Sequence, residues 1–261
     1  MTWVYSSPIW LVSALFIGGT GAVAAGGLMI VRSPRTGRFT GAANDFAGPV
    51  MGTLGTILAV MLSFMVVTVW QTYEQSASVV ESEVDSLSNL YHEASVFPEP
   101  QKSEVHDAIQ RYVNLAVNDE WPMMRVGRSS HQARVAAVRI VLLIERYAPK
   151  TLAQQTAQAD ALRHAHEFLA DRGDRLFQNV ETVPTLLWAM MIFVATITLC
   201  SSYFFHVSDA RAHFAMTVAL GAVIGAFFVV IAELDLPFRG DLQIQPTAYA
   251  RAYTAFADDR S

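Results

Sequence analysis

Residues 50–97 read VMGTLGTILAVMLSFMVVTVWQTYEQSASVVESEVDSLSNLYHEASVF, and two patterns meet in them without a break. From Val50 to Trp70 there is no charge, and the run is about the 20 residues a helix needs to cross a bilayer. From Tyr73 onward, Ala77, Val80, Val84, Leu87, Tyr91 and Ala94 follow at alternating steps of four and three. That is the seam of a helix that buries one stripe against a partner. Neither proline nor glycine interrupts the join, so one helix is expected from the membrane to about Phe97, about 70 Å long at 1.5 Å per residue. Pro98-Glu99-Pro100 then stops it, because proline cannot donate to the preceding turn.

Working outward, three more stretches have the length and apolarity of spans: about Ile9–Val31, Pro184–Phe205 and Ala212–Leu236. The 261 residues are 52% hydrophobic and only 16% charged, against about 25% charged in soluble domains. The expected class is therefore all-α and polytopic. Its parts are a pair of spans in 1–70, an extramembrane helical bundle over 71–183 continuous with the second and third spans, a second pair in 184–236, and a tail over 237–261. The first run is read as a retained span. Ala22-Val23-Ala24 resembles a cleavage site, but residues 1–8 carry no Lys or Arg and the apolar run continues to Ile30. The net charge of −5 offers no broad footprint for nucleic acid, and the single Cys200 excludes an intrachain disulfide. Orientation is undecided by charge. Arg32, Arg35, Arg38 and Arg211 on one side face Arg163, Arg172, Arg175, Arg239 and Arg251 on the other.

Within the bundle, a helix over about Ser103–Val117 is expected to close at Glu120-Trp121-Pro122. A further helix starts at an N-cap, Ser130, and ends near Tyr147. Another starts near Thr151 and runs into the third span, weakened at Gly173.

The candidate sites lie mainly on the second helix. Gly52, Gly55, Ala59 and Ser63 form a small-residue face, which serves packing within the chain or, in a ring of copies, lines a pore. In the pore reading Leu62, Phe64 and Val66 make an apolar constriction and Trp70 ends the lining. Glu74 and Glu81, seven residues apart, share a face, with Glu83 and Asp85 near them, and no Lys or Arg occurs between Arg38 and Lys102. On a lone helix this is a solvated face; around an axis it is an acidic collar that favours cations and attracts calcium or another divalent ion. After the fourth span, Glu233 and Asp235 oppose the helix dipole and call for basic partners, with Arg239, Arg172 and Arg175 the nearest by topology, in a structural or gating role. Asp160, His164 and Glu167 share a helical face, but no Glu-x-x-His motif accompanies them and no metal centre is expected. No other cofactor is expected. There is no Gly-rich phosphate loop or nucleophile elbow, so an enzyme is not expected either.

Taken in order, several stretches resemble the bestrophin-like domain family of bacterial and plant membrane proteins. They are LSFMVVTVW at 62–70, Glu83 to Leu90, Tyr91-His92-Glu93-Ala94, Glu120-Trp121-Pro122, Arg172 to Leu176, Pro184-Thr185-Leu186-Leu187-Trp188 and Leu234-Asp235-Leu236-Pro237-Phe238-Arg239-Gly240. The resemblance implies four membrane helices, a large helical segment between the second and third, and a relation to bestrophin channels. Those are homo-oligomers, pentameric by analogy, whose second helix lines the pore and whose termini are cytoplasmic. It also implies a multi-pass protein of a cell membrane, the bacterial inner membrane. The chain departs from animal bestrophins in having only Phe64 where they have evenly spaced phenylalanines, and in the acidic stretch that follows. The function expected is a homo-oligomeric ion channel that contacts lipid, its own copies and inorganic ions, with a cation preference. The alternative is a non-conducting membrane scaffold or signalling protein whose bundle binds a partner.

Overall fold

The computed structural model describes residues 8–32, 44–205 and 209–258. All regular structure among them is helical: α1 (Ile9–Val31), α2 (Asn44–Ala94), α3 (Gln101–Leu115), a π-helical turn (Ala116–Glu120), α4 (Trp121–Met124), α5 (His131–Glu145), α6 (Leu152–Gln178), α7 (Thr185–Ser202), α8 (Ala210–Leu234) and α9 (Thr247–Asp258). Helices α1, α2, α7 and α8 are long and apolar enough to cross a membrane. The long second helix is a single element of 51 residues, with Pro49 inside its first turns. Arg35 and Arg38 of the first short loop lie outside the described residues.

The chain falls into two compact units, one ending at Thr72 and resuming over Thr182–Asp235, the other comprising Tyr73–Glu181 and the residues from Leu236. The first holds the spans. In lipid, apolar side chains gain nothing by leaving their surroundings, so helices associate through close packing of small residues. Helix α8 does this against α1. A Cβ added to Gly221 would lie 2.8 Å from the Thr20 carbonyl oxygen, and one added to Gly225 would lie 2.7 Å from that of Phe16. The backbones therefore touch, and the Thr20 hydroxyl, which would otherwise be stranded there, donates to Phe16 O at 2.7 Å. Helix α7 adds Trp188 beside Phe228, and the Asp235 carboxylate at the end of α8 accepts the Val183 N–H at 2.6 Å.

The second unit is a helical bundle around an aromatic and aliphatic core. Leu87, Leu90, Ile109, Tyr112, Ile140, Ile144 and Phe168 are fully buried in it. Tyr91 is stacked between His106 and Phe256, with ring centroids 3.7 and 4.4 Å away. The expected cap is present, Ser130 accepting the Ala133 N–H at 3.1 Å, and Thr151, near which the next helix is expected to start, caps it by accepting the Gln154 N–H at 3.2 Å.

Three expectations are corrected. Glu120-Trp121-Pro122 does not close the third helix. The helix passes through a π turn, in which Trp121 N–H bonds to Ala116 O five residues back, and Pro122 sits in the first turn of α4, where its missing donor costs little. Helix α6 does not run into the third span, since helical structure stops at Gln178 and resumes at Thr185 after Pro184. The tail is not an appendage: α9 buries Ala248, Tyr249, Ala252 and Phe256 in the bundle core, and the Trp121 indole N–H donates to Ile244 O at 3.0 Å.

Candidate functional site

In its spanning half, α2 is covered along one stripe only: Leu58, Leu62, Met65 and Val69, at steps of four, three and four, are buried. Of the residues proposed for a pore lining, Leu62 thus faces the chain's own interior, 3% exposed. Gly52, Ala59, Ser63 and Trp70 are exposed, and Gly55 and Val66 are half-buried. Phe64 is 69% exposed. At the glycines of the small-residue face, a Cβ added at Gly52 or Gly55 meets no atom of the described residues within 4 Å. The hydroxyls of Thr53, Thr56 and Thr68 donate to the carbonyls four residues back, at 2.9–3.0 Å. That satisfies them without water, as an apolar surrounding requires.

Further along α2 the acidic residues part company. Glu74, Glu81 and Asp85 are exposed. Glu81 accepts two bonds from Arg251 of α9 at 2.8 and 3.0 Å, a pair open to solvent and so worth about 1 kcal/mol or less. Glu83 does not belong with them: it is fully buried, on the seam that carries Ser76, Val80, Leu87 and Leu90.

Glu83 is one member of a buried ionic network inside the bundle. Arg175 of α6, also fully buried, donates from Nε to Glu83 Oε2 at 2.7 Å and from Nη2 to Glu120 Oε2 at 2.9 Å. The Tyr112 hydroxyl donates to Glu83 Oε1, Arg172 to Glu120 Oε1, and the Ser130 N–H to the same Glu120 oxygen at 3.3 Å. The guanidinium of Arg175 lies 5.0 Å from the Trp121 ring centre and 5.9 Å from that of Tyr249. Two carboxylates and two guanidiniums balance in formal charge, with Glu83, Glu120 and Arg175 fully buried. Burial works against the Arg175 charge, but Glu83 overrides it and holds the guanidinium well above its ordinary value. Burial first, and Glu83 second, push the Tyr112 phenol well up as well. Arg175 thus keeps its charge and Tyr112 its proton across the physiological range. It clamps α2, the π turn and α6 together.

Arg172 and Arg175 are therefore taken up by Glu120 and Glu83, not by the carboxylates that end the fourth span. Glu233 and Asp235 are buried in the spanning unit, while Arg239 donates to Asn179 O at 2.9 Å beside Gly127, a turn residue with φ +73°. Sequence reasoning missed Glu120, Tyr112, Trp121 and Tyr249. A usable signal existed: Ala161, Ala165, Phe168, Arg172 and Arg175 fall on one four-three seam, so both arginines occupy core positions and need buried acids. His164 Nδ1 lies 2.9 Å from Glu93, and Glu167 is bound to Arg163. Among the described residues no three of His, Cys, Asp or Glu gather to hold a metal ion.

A polytopic helical protein with two pairs of spans, a second span prolonged into the bundle and a neutral ion network at the bundle's centre defines the class. A family model, the bestrophin-like domain, matches residues 18–249, and the chain belongs to that family. No curated protein matches it. Among solved structures, a point mutant of a bacterial bestrophin homologue from Klebsiella pneumoniae superposes with a TM-score of 0.68 at 14% identity, covering 98% of this chain and 100% of that one. A second mutant of that homologue gives 0.68 at 15%, with 97% and 100% covered. A structure described only as a membrane protein gives 0.67 at 13%, with 96% and 97% covered. At these identities the likeness establishes the fold: this is a membrane protein of bestrophin architecture.

Proposed function

We propose that the protein is a homo-oligomeric ion channel whose pore is lined by the spanning half of α2. The observation that carries this reading is the exposed face of that half. Gly52, Ala59, Ser63 and Trp70 are exposed, and a Cβ at Gly52 or Gly55 would meet no atom of the described residues within 4 Å. Glycines in a helix cost about 1 kcal/mol each relative to alanine, so two that pack against none of the described residues point to a use outside the chain. A narrow axis shared by several copies supplies one. Membership of the bestrophin-like family supports it, and Val66 and Val67, each within one turn of Ser63 and Trp70, suit an apolar constriction that gates by dewetting.

Cation preference rests on Glu74 and Asp85, with Glu81 half-neutralised by Arg251 and Glu83 removed to the core. The same exposed carboxylates are the place where a divalent cation would bind. The test is flux through liposomes holding the purified protein, with Na⁺, K⁺ and Cl⁻ gradients, with and without Ca²⁺. Cation flux is expected, and Glu74→Gln shifts the reversal potential toward the anion side. A folded oligomer that passes no ion overturns the channel reading and leaves the membrane scaffold.

A further inference from the structure

Two faces of the bundle complement each other and do not meet within one chain. The first is the outer side of α5. That helix packs on α3 and α6 through Ala133, Ala136, Ala137, Ile140 and Ile144. Its opposite side carries His131, Val135, Val138 and Leu142 at steps of four, three and four, all exposed, with Val135 at 52% and Val138 at 44%. Arg134 and Arg139 flank this stripe and Arg146 follows it, all exposed. Between Trp121 and Ala159 the chain has Arg125, Arg128, Arg134, Arg139, Arg146 and Lys150 against a single acid, Glu145. Side chains this apolar, on a helix outside the lipid, are placed for a partner.

The second face is an open groove of about 600 Å³ between the end of α2 and the start of α6. Val96, Leu152, Ala153, Thr156 and Ala157 form its apolar floor, and Glu93 and Asp160 stand on its rim. Leu152 is 78% exposed. Acids continue along the same flank of α6 at Glu167, Asp171 and Asp174. Burial raises the Asp171 carboxyl; its bond from Ser82 works the other way, and the neighbouring carboxylates Glu83, Asp174 and Glu167 raise it further. Glu93 is bonded to His164 and Glu167 to Arg163, so the negative charge this side offers a partner rests on Asp160, with Asp171 and Asp174 further along.

We infer that the apolar, arginine-flanked face of α5 docks into the apolar, acid-rimmed groove of a second copy of this chain. Apolar centre meets apolar floor, and Arg134 and Arg139 meet Glu93 and Asp160. Opposite potentials of this kind set partner and register more than raw affinity. Because the two faces differ, the contact is heterologous. Each copy that offers its α5 keeps a free groove for the next, and such contacts close into a ring when the rotation allows. The inference rests on the oligomeric part of the channel reading and names the surface that assembles it.

The test is co-expression of two differently tagged full-length copies in a Cys200→Ser background, one carrying Val138→Cys and the other Thr156→Cys. Oxidation is expected to give a disulfide-linked band bearing both tags. Val138→Glu, which leaves the folded chain intact because the side chain is exposed, is expected to weaken self-association at least ten-fold. Arg139→Glu is expected to weaken it too, with recovery on adding Asp160→Arg. A protein that is oligomeric by native mass yet gives no mixed band, and whose assembly is unchanged by Val138→Glu, overturns this surface and leaves the channel reading standing. A ring that crosslinks as described but passes no ions confirms the surface and removes the channel.

Discussion

Helices α8 and α2 both carry closely spaced glycines among apolar residues, and the two sets do opposite things. Gly221 and Gly225 of α8 lie so near Thr20 and Phe16 that a single methyl group has no room, whereas a methyl at Gly52 or Gly55 of α2 touches no atom of the described residues. The first pair is spent inside the chain, in the one way helices hold each other in lipid. The second is unspent. A glycine motif in a membrane helix thus says that close approach is wanted but not by whom, and only the neighbours decide. The two halves of α2 repeat the contrast. Its bundle half is fixed by a buried seam and an ion pair, its spanning half by four residues along one stripe.

The largest effect is expected where the bundle half is anchored. Arg175→Met leaves Glu83 and Glu120 short of their main partner in the core, which costs about 3–5 kcal/mol of bundle stability. It should lower the melting temperature followed by tryptophan fluorescence, since Trp121 packs on this guanidinium. Gly225→Leu comes next. It must push α1 and α8 apart, at about 1–3 kcal/mol, and should show as a loss of folded, monodisperse protein in detergent. Gly52→Ala is expected to do least to the single chain. Thermal stability holds or rises by about 1 kcal/mol from helix propensity alone, while ion flux or assembly changes. If Gly52→Ala proves as damaging as Gly225→Leu in the unassembled chain, the contrast between the two helices fails.

The spans were legible to within a few residues because hydrocarbon thickness imposes a length and an apolar run satisfies it at once. The cap at Ser130 was legible because a hydroxyl before a periodic run has a local role. Glu83 was not, since a carboxylate on a seam reads as surface until its partner, 92 residues on, is known. Glu120 was hidden behind Pro122, which reads as a helix stop when the turn before it is assumed to be α. Helix α9 was overlooked although Tyr249, Ala252 and Phe256 keep helical spacing, because a short polar tail after a membrane span suggests no core of its own.

The π turn at Ala116–Glu120 gives the chain something an ordinary turn withholds. By spending one residue more on the same circuit, it lets two consecutive side chains, Glu120 and Trp121, both point inward, one to neutralise Arg175 and the other to cover it. Here the count of residues, and not only their identity, is part of the design. Deleting one residue would rewind the coil and leave space beside the guanidinium for the carboxylate or the indole, but not for both.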